Sequence, residues 1–138
     1  MDTNDVKDAF RFLETWDDRY ELITELGKAL PPLFETDRVE QNLVPGCSTR
    51  TWLVGQLDPG SAAIGFRADA EGPLVRGLVA LLLLPFQDKT PDEVLRFDHQ
   101  AYIEELGLEG GLSAKRLAGV QAFFAKVKQI AVACGGRP

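Results

Sequence analysis

Two strand-like segments joined by a tight turn are the feature that most limits the folds open to this chain. Residues 51–57 are rich in β-branched and aromatic side chains, which favour strands. Residues 58–61, Asp-Pro-Gly-Ser, have the composition of a turn, and residues 62–67 can return as the second strand of a hairpin. Residues 43–44 can add a short third strand. The sequence therefore predicts a small antiparallel sheet of two or three strands.

Helical patterns flank this sheet on both sides. Apolar residues recur at helical spacing over residues 6–13 and 22–30. The apolar run 74–84 is long for a strand and richer in leucine than in β-branched residues, so we predict a helix there. Residues 90–93, Thr-Pro-Asp-Glu, carry the helix-start signals of a capping box, and Ser113 begins the last helix. The fold class predicted is α+β, with N-terminal and C-terminal helices packed on the small sheet.

Two glycines interrupt these helical patterns. Gly77 and Gly119 each cost about 1 kcal/mol relative to alanine in a helix interior. Close packing of one helix against another is the simplest reason to keep a glycine at such a position, and it is our prediction for both.

The length and composition are those of one ordinary globular domain. The chain has 138 residues, 45% hydrophobic and 26% charged, so we treat residues 1–138 as a single domain. Its first ten residues are acidic and lack the plan of a signal peptide. The two cysteines are too far apart in sequence for a zinc knuckle and too few for a disulfide scaffold, which favours a reducing, cytoplasmic location.

The charge balance and the histidine content exclude several classes of function. The net charge of −6 disfavours nucleic acid and anionic membrane surfaces as partners, since both are negatively charged. The longest apolar run, residues 78–84, is far short of the ~20 residues that cross a bilayer. A single histidine excludes a multi-histidine metal site within one chain, and no metal ligands are predicted.

Cys47 is the strongest candidate for chemistry. It follows the bend formed by Pro45 and Gly46 and precedes a predicted strand, so we expect its thiol on a loop. Arg50, three residues further on, can favour the thiolate, which is the reactive form of cysteine. From these residues alone, a small buried side chain that fills a gap is the alternative reading of Cys47.

The other candidate functional residues, Cys134 and His99, indicate a function less clearly. Cys134, before the glycines that end the last helix, can serve as a resolving thiol only if that end of the chain lies near Cys47. His99 stands at the start of a predicted helix, where an exposed and solvated side chain is expected. No P-loop, HExxH or GxGxxG pattern occurs in the sequence.

A series of motifs occurs in a fixed order between about residue 12 and residue 128. The segments are residues 16–20 and 25–31, residues 42–47 and 52–54, and residues 74–78, 90–91 and 97–98. Together and in this order, they resemble the SufE family of sulfur-acceptor proteins. Residues 16–20 and 25–31 look like the family's second helix, and residues 42–47 and 52–54 look like its acceptor-cysteine loop and the strand beyond.

The resemblance implies a role in sulfur transfer. It implies that Cys47 takes persulfide sulfur from a PLP-dependent cysteine desulfurase (SufS-like or CsdA-like), stimulates that enzyme, and supplies a scaffold for iron–sulfur cluster assembly. The chain is then a carrier and activator, not an enzyme. It needs no cofactor of its own, because the pyridoxal phosphate belongs to the partner. Arg50 and Arg116 are the residues expected to dock the partner or stabilise the thiolate, and Pro45 and Gly46 to shape the loop.

The departures from the family pattern leave the choice of partner open. Gly111, Ala114 and Ala118 stand where the family tends to carry histidine, proline and asparagine, although Arg116 and Gly119 are kept. Two other functions also stay open at this point. One is a thiol-redox protein in which Cys134 resolves Cys47, and the other is a regulatory adaptor that binds a desulfurase without carrying sulfur.

Overall fold

The computed structural model describes residues 1–137, which form seven α-helices and one two-stranded antiparallel sheet. Three short 3₁₀ turns lie at Glu35–Asp37, Glu40–Asn42 and Leu84–Phe86. This α+β architecture confirms the predicted fold class. The helices and strands, in chain order, are α1 (Thr3–Phe12), α2 (Trp16–Lys28), β1 (Thr51–Leu57), β2 (Ile64–Ala70), α3 (Pro73–Leu83), α4 (Pro91–Arg96), α5 (His99–Leu106), α6 (Leu108–Gly111) and α7 (Ala114–Ala133).

The hairpin is present, with its second strand shifted relative to the prediction. β1 and β2 pair antiparallel with Thr51 opposite Ala70. β2 starts at Ile64 because Ala62 adopts a left-handed φ of 60° and belongs to the turn. Leu43 forms only an isolated bridge to Trp52, because the Pro-Gly bend that follows ends the pairing. The sheet therefore has two strands and no third among residues 1–137.

Side-chain caps start the helices where the sequence predicted them. The Thr90 hydroxyl accepts a hydrogen bond from the Glu93 amide, and the Glu93 carboxylate accepts one from the Thr90 amide, which completes a capping box. Thr15 caps α2 and Ser113 caps α7 through their hydroxyls. The apolar run after Gly72 forms a helix, α3, as expected. Among residues 1–137, no helix combines the length and the apolar composition that a membrane span requires.

Helices α2 and α3 cross in close contact at a pair of glycines. A Cβ atom on Gly77 would collide with the carbonyl group of Ile23, and a Cβ on Gly27 would lie 2.7 Å from the Gly77 nitrogen. The predicted close packing at Gly77 is therefore confirmed. This contact fixes α3, one wall of the site described below, against the N-terminal helices.

The segment before α7 is held by two aromatic residues of α2. The Trp16 ring lies so close to Gly111 that any side chain at that position would overlap it. The Tyr20 hydroxyl donates a hydrogen bond to the Gly111 carbonyl. A glycine at position 111 is therefore required by the packing of this chain.

His99 differs from its predicted solvated state. Its ring stacks on Phe124 of α7, with centroids 4.9 Å apart, and its Nδ1 atom is buried without a hydrogen-bonding partner among residues 1–137. The Asp98 cap begins α5 at this residue, and tertiary packing then turns the ring onto α7. The expectation of an exposed histidine is wrong.

Mild acid is expected to destabilise the fold through His99. Burial, followed by the Lys128 charge, lowers the pKa of His99, although Gln121 and Asp98 act in the opposite direction. The unfolded chain then binds a proton at higher pH than the folded chain. The free energy of unfolding should therefore fall as the pH drops below about 6.5. Urea unfolding from about pH 8 to about pH 5 measures the decline. An equally steep decline in His99→Leu would contradict this assignment.

Candidate functional site

A glycine turn directs Cys47 toward the last helix. Gly46 has a φ of +89°, in the left-handed region that other residues rarely adopt. Its α-carbon lies near α7, since a Cβ at this position would be 3.4 Å from the Ala122 Cβ. The turn therefore places the following residue, Cys47, on a loop that packs against α7, half-buried.

The sulfur of Cys47 lies over Gly119. The Cys47 Sγ is 3.6 Å from the Gly119 carbonyl oxygen and donates to it as a thiol. A Cβ on Gly119 would be 3.5 Å from the same sulfur, with no other helix among its nearest neighbours. The prediction that Gly119 serves helix–helix packing is therefore wrong, because the cysteine loop occupies that face of α7.

A small apolar cavity adjoins the thiol. Its volume is about 40 Å³, enough for one further heavy atom beside the sulfur. Polar or charged residues line part of it, namely Ser48, Thr49, Thr51, Lys115 and Arg116. The remaining wall is apolar and comes from α3 (Val75, Leu78, Val79 and Leu82) and α7 (Val120 and Phe123).

Burial keeps the Cys47 thiol protonated. Desolvation raises the pKa of Cys47, and the side chain of Thr51 only partly opposes that rise. The docked thiol is therefore a weaker nucleophile at neutral pH than an exposed cysteine, because the thiolate is the reactive form. The docked loop therefore protects the thiol from indiscriminate reaction.

Of the two arginines predicted for the site, one lies at the cavity. Arg116 lines it together with Cys47. Arg50 instead forms an exposed ion pair with Glu71, with 3.8 Å between the charged atoms, and its guanidinium lies 5.9 Å from the Trp52 ring. Their expected roles in docking a partner or stabilising the thiolate stay predictions.

Sequence reasoning missed several residues of the site. Lys115, Thr51 and the apolar wall from α3 were not singled out. For α7, the signal was present, because residues 116, 119, 120 and 123 share one face of a helix at i, i+3, i+4 and i+7. For α3, no local signal existed, since a helix that is apolar on most sides does not show which side lines a site.

Cys134 lies far from Cys47. It caps the C-terminus of α7, fifteen residues beyond Gly119. At 1.5 Å per residue, this corresponds to about 22 Å along the helix, whereas the α-carbons of a disulfide lie within about 7 Å of each other. The structure therefore does not bring the two thiols together. Residues 1–137 also contain no cluster of three or more histidine, cysteine or carboxylate side chains that could hold a metal ion.

The fold and the site define a small α+β protein that presents one half-buried cysteine on a loop beside an apolar cavity. The chain belongs to the SufE family: the family model described as "Fe-S metabolism associated domain" matches residues 4–131. This membership implies a role in iron–sulfur metabolism, and it confirms the resemblance seen in the sequence. Members of this family are not themselves conventional enzymes.

Individual relatives agree with this assignment. An uncharacterised SufE-like protein of Rhizobium etli is 36% identical over 124 residues, which cover 88% of this chain and 84% of the relative. Another, from Rhizobium meliloti, is 36% identical over 123 residues and covers 88% of each chain. The solution structure of a hypothetical protein from Thermus thermophilus superposes with a TM-score of 0.77 at 19% identity, covering 96% of this chain and 94% of that one, and supports the fold alone.

Proposed function

We propose that this chain is a sulfur acceptor and carrier that takes persulfide sulfur from a PLP-dependent cysteine desulfurase onto Cys47. The observation that carries the proposal is the position of the Cys47 thiol, on a glycine turn beside an apolar cavity with room for one more heavy atom. Sulfur is apolar and polarisable, so such a cavity suits the terminal atom of a persulfide. The rest of the chain supplies a rigid support of packed helices.

The transfer step needs only one thiol on this chain. The Cys47 thiolate attacks the terminal sulfur of the donor's cysteine persulfide, in the manner of thiol–disulfide exchange. A new S–S bond forms at Cys47 while the donor's S–S bond breaks, and the electron pair leaves on the donor's thiolate. The terminal sulfur keeps its proton, so no oxidant or reductant is consumed. Pyridoxal phosphate supplies the carbon–sulfur cleavage in the partner, and this chain needs no cofactor.

The loop and the cavity have different roles in the proposed cycle of sulfur transfer. The half-buried sulfur must leave α7 to reach a donor cysteine, and the turn at Gly46 is the natural pivot for that movement. After the transfer, the loop returns and the cavity shields the persulfide from water and from reducing thiols. The persulfide then passes to a scaffold for iron–sulfur cluster assembly. Two free cysteines suit a reducing compartment, the cytoplasm.

The side chains around the cavity favour a partner with acidic groups at its entrance. Lys115 and Arg116 of α7 flank the thiol, and Arg50 stands on the exposed end of the same loop. These cations would dock the desulfurase around its persulfide-bearing cysteine. The alternative thiol-redox function is disfavoured, because Cys134 is about 22 Å away along α7.

Stimulation of a desulfurase tests the proposed function. A purified PLP-dependent cysteine desulfurase is supplied with cysteine and reductant, and sulfide release is measured with and without this chain. We expect a faster turnover that saturates as the concentration of the chain rises. A rate that does not change, with binding of the two proteins also absent, would contradict the proposal.

Gly46→Val is expected to remove most of this stimulation. Valine at a φ of +89° costs about 1 to 3 kcal/mol, and its side chain meets Ala122. The loop should then be unable to take up both the docked and the extended conformation, and sulfide release should fall several-fold. Binding of the desulfurase and alkylation of the thiol should persist. Gly60→Val, in the exposed hairpin turn and without a positive φ, is the matched control. Full stimulation by Gly46→Val would show that this turn does not limit transfer.

A further inference from the structure

Backbone hydrogen bonds hold both ends of the loop that carries the thiol, residues 45–50. At its start, the Val44 amide donates to the Thr51 carbonyl at 2.8 Å, and both residues are buried. At its end, the Glu71 amide donates to the Arg50 carbonyl at 3.0 Å, which ties the last loop residue to the end of β2. Movement that leaves the sheet intact is therefore confined to the residues between these bonds.

A further hydrogen bond inside the loop comes from a side chain of the sheet. The Thr51 hydroxyl donates to the Thr49 carbonyl at 3.0 Å. Thr51 is the first residue of β1 and only 1% exposed, so the strand fixes the position of this hydroxyl. Thr49 is a half-buried loop residue, and within residues 1–137 it takes part in no other hydrogen bond. The Thr51 side chain therefore ties this part of the loop to the sheet.

The bond to Thr49 limits how far the Cys47 sulfur can move. Cys47 precedes Thr49 by two residues, and an extended chain spans about 3.5 Å per residue. While Thr49 is held, the α-carbon of Cys47 therefore stays within about 7 Å of the α-carbon of Thr49. Once Thr49 is released, the nearest fixed residue on that side is Arg50, three residues from Cys47, and the limit rises to about 10 Å. Release of this bond extends the reach of the thiol toward a donor.

The docked loop makes few polar contacts with α7. The Cys47 thiol is a weak donor, and its sulfur lies 3.6 Å from the Gly119 carbonyl oxygen. In the part of the chain that the structure describes, no other hydrogen bond joins residues 45–49 to α7. The hydroxyl bond to Thr49 is therefore a stronger hold on the docked loop than the bond made by the sulfur itself.

We propose that Thr51 is a positioning residue for sulfur transfer: its hydroxyl holds the Thr49 carbonyl while Cys47 is docked, and this bond opens when the loop extends to a donor. The inference rests on the proposed carrier function. When the loop opens, water replaces the hydroxyl at the Thr49 carbonyl, and the buried hydroxyl loses its acceptor. A buried donor without an acceptor is unfavourable, which drives the loop back to the docked state. Thr51 thus acts through the backbone of the loop and not on the reacting sulfur.

Alkylation of Cys47 tests this role without any desulfurase. Every variant also carries Cys134→Ser, so that Cys47 is the one thiol that reacts, and incorporation of iodoacetamide is followed by mass. The rate is measured up to the pH at which it no longer rises, so that differences in thiol ionisation do not enter the comparison. We expect Thr51→Val, which keeps the shape of the side chain, to react about fivefold faster, because the open loop is more populated. Thr51→Ser, which restores the hydroxyl, should return to the parent rate.

Two controls separate this hydrogen bond from its surroundings. Thr49→Val replaces the side chain of the acceptor residue but keeps its backbone carbonyl, so it should react at the parent rate. Hydrogen exchange of the loop amides, which does not involve the thiol, should be faster in Thr51→Val, while its urea midpoint stays near that of the parent.

The alkylation rates also decide against the proposal if the hydroxyl has no effect on them. If Thr51→Val does not fold, judged by circular dichroism, Thr51→Ala is compared with Thr51→Ser with the same expectation. A rate equal to or below that of the parent in the variant without the hydroxyl would overturn the proposal. A faster rate that Thr51→Ser shows as well would also overturn it.

Loss of the stored sulfur gives an independent measurement of the same role. After loading by a desulfurase and removal of that enzyme, the persulfide of Thr51→Val should be lost to a reducing thiol about fivefold faster than that of the parent. Faster alkylation of Thr51→Val with no sulfur accepted by any chain, the parent included, would refute the carrier function while leaving the positioning role intact. A parent that accepts sulfur but alkylates at the same rate as Thr51→Val would refute the role of Thr51 alone.

Discussion

Cys47→Ser is expected to abolish sulfur acceptance by this chain. A serine oxygen cannot form the S–S bond that holds the transferred sulfur, and no other thiol lies near the cavity among residues 1–137. The substitution nearly preserves the shape of a half-buried side chain, so the free energy of unfolding should change by about 1 kcal/mol or less. The measurement is sulfide release by a desulfurase, together with a direct binding titration. We expect binding to persist and stimulation to disappear.

Cys134→Ser is the matched control for this loss. It makes the same chemical change at the C-terminus of α7, remote from the cavity, and should leave stimulation unchanged. Full stimulation by Cys47→Ser would show that the chain is a regulatory adaptor and not a carrier. Loss of stimulation in Cys134→Ser, or a readily formed Cys47–Cys134 disulfide, would favour the thiol-redox function instead.

Asp69→Ala is expected to produce the largest loss of stability. The Asp69 carboxylate is buried in β2 and accepts hydrogen bonds from Arg76 at 2.7 and 2.9 Å, from the Ala70 amide at 2.8 Å, and from Arg38. Burial raises the pKa of Asp69, but the hydrogen bonds from Arg76, Ala70 and Arg38 outweigh it and hold the pKa below the usual aspartate value. The carboxylate thereby joins β2 to α3 and to the segment before β1.

Removal of this carboxylate leaves two arginines without their shared partner. Arg76 and Arg38 are both partly exposed, so they can turn toward water, and we expect a loss of about 3 kcal/mol, the lower end for a broken buried pair. Urea unfolding measures it. Glu35→Ala removes the exposed partner of Arg38 and should change stability by less than about 0.5 kcal/mol. Equal stability of Asp69→Ala and the parent would contradict the assigned role of this cluster.

Features that depend on neighbouring residues were predictable from the sequence. The capping box at Thr90, the helix that follows Gly72, and the hairpin around residues 58–61 all follow from side chains within four or five positions of one another. The strand boundary at Ile64 was not predictable, because nothing in the sequence indicates that Ala62 adopts a left-handed conformation. The loop position of Cys47 followed from the Pro-Gly bend.

Features that depend on distant contacts were not predictable. The sequence could not show that Gly119 faces the sulfur of Cys47, 72 residues earlier in the chain. Gly119 was therefore assigned to helix packing. The stacking of His99 on Phe124 likewise depends on how α5 meets α7. The cavity needs α3, α7 and the loop together, and its existence is a property of their tertiary arrangement.

The central claim is that Cys47 carries sulfur, and the mass of the chain after reaction tests it most directly. The chain is incubated with a cysteine desulfurase and cysteine, separated without reductant, alkylated, and digested for mass spectrometry. The account predicts one additional sulfur atom on the peptide that contains Cys47, none on the peptide that contains Cys134, and removal of the added mass by a reducing thiol. An unmodified Cys47 in a chain that nevertheless stimulates the desulfurase would contradict the account.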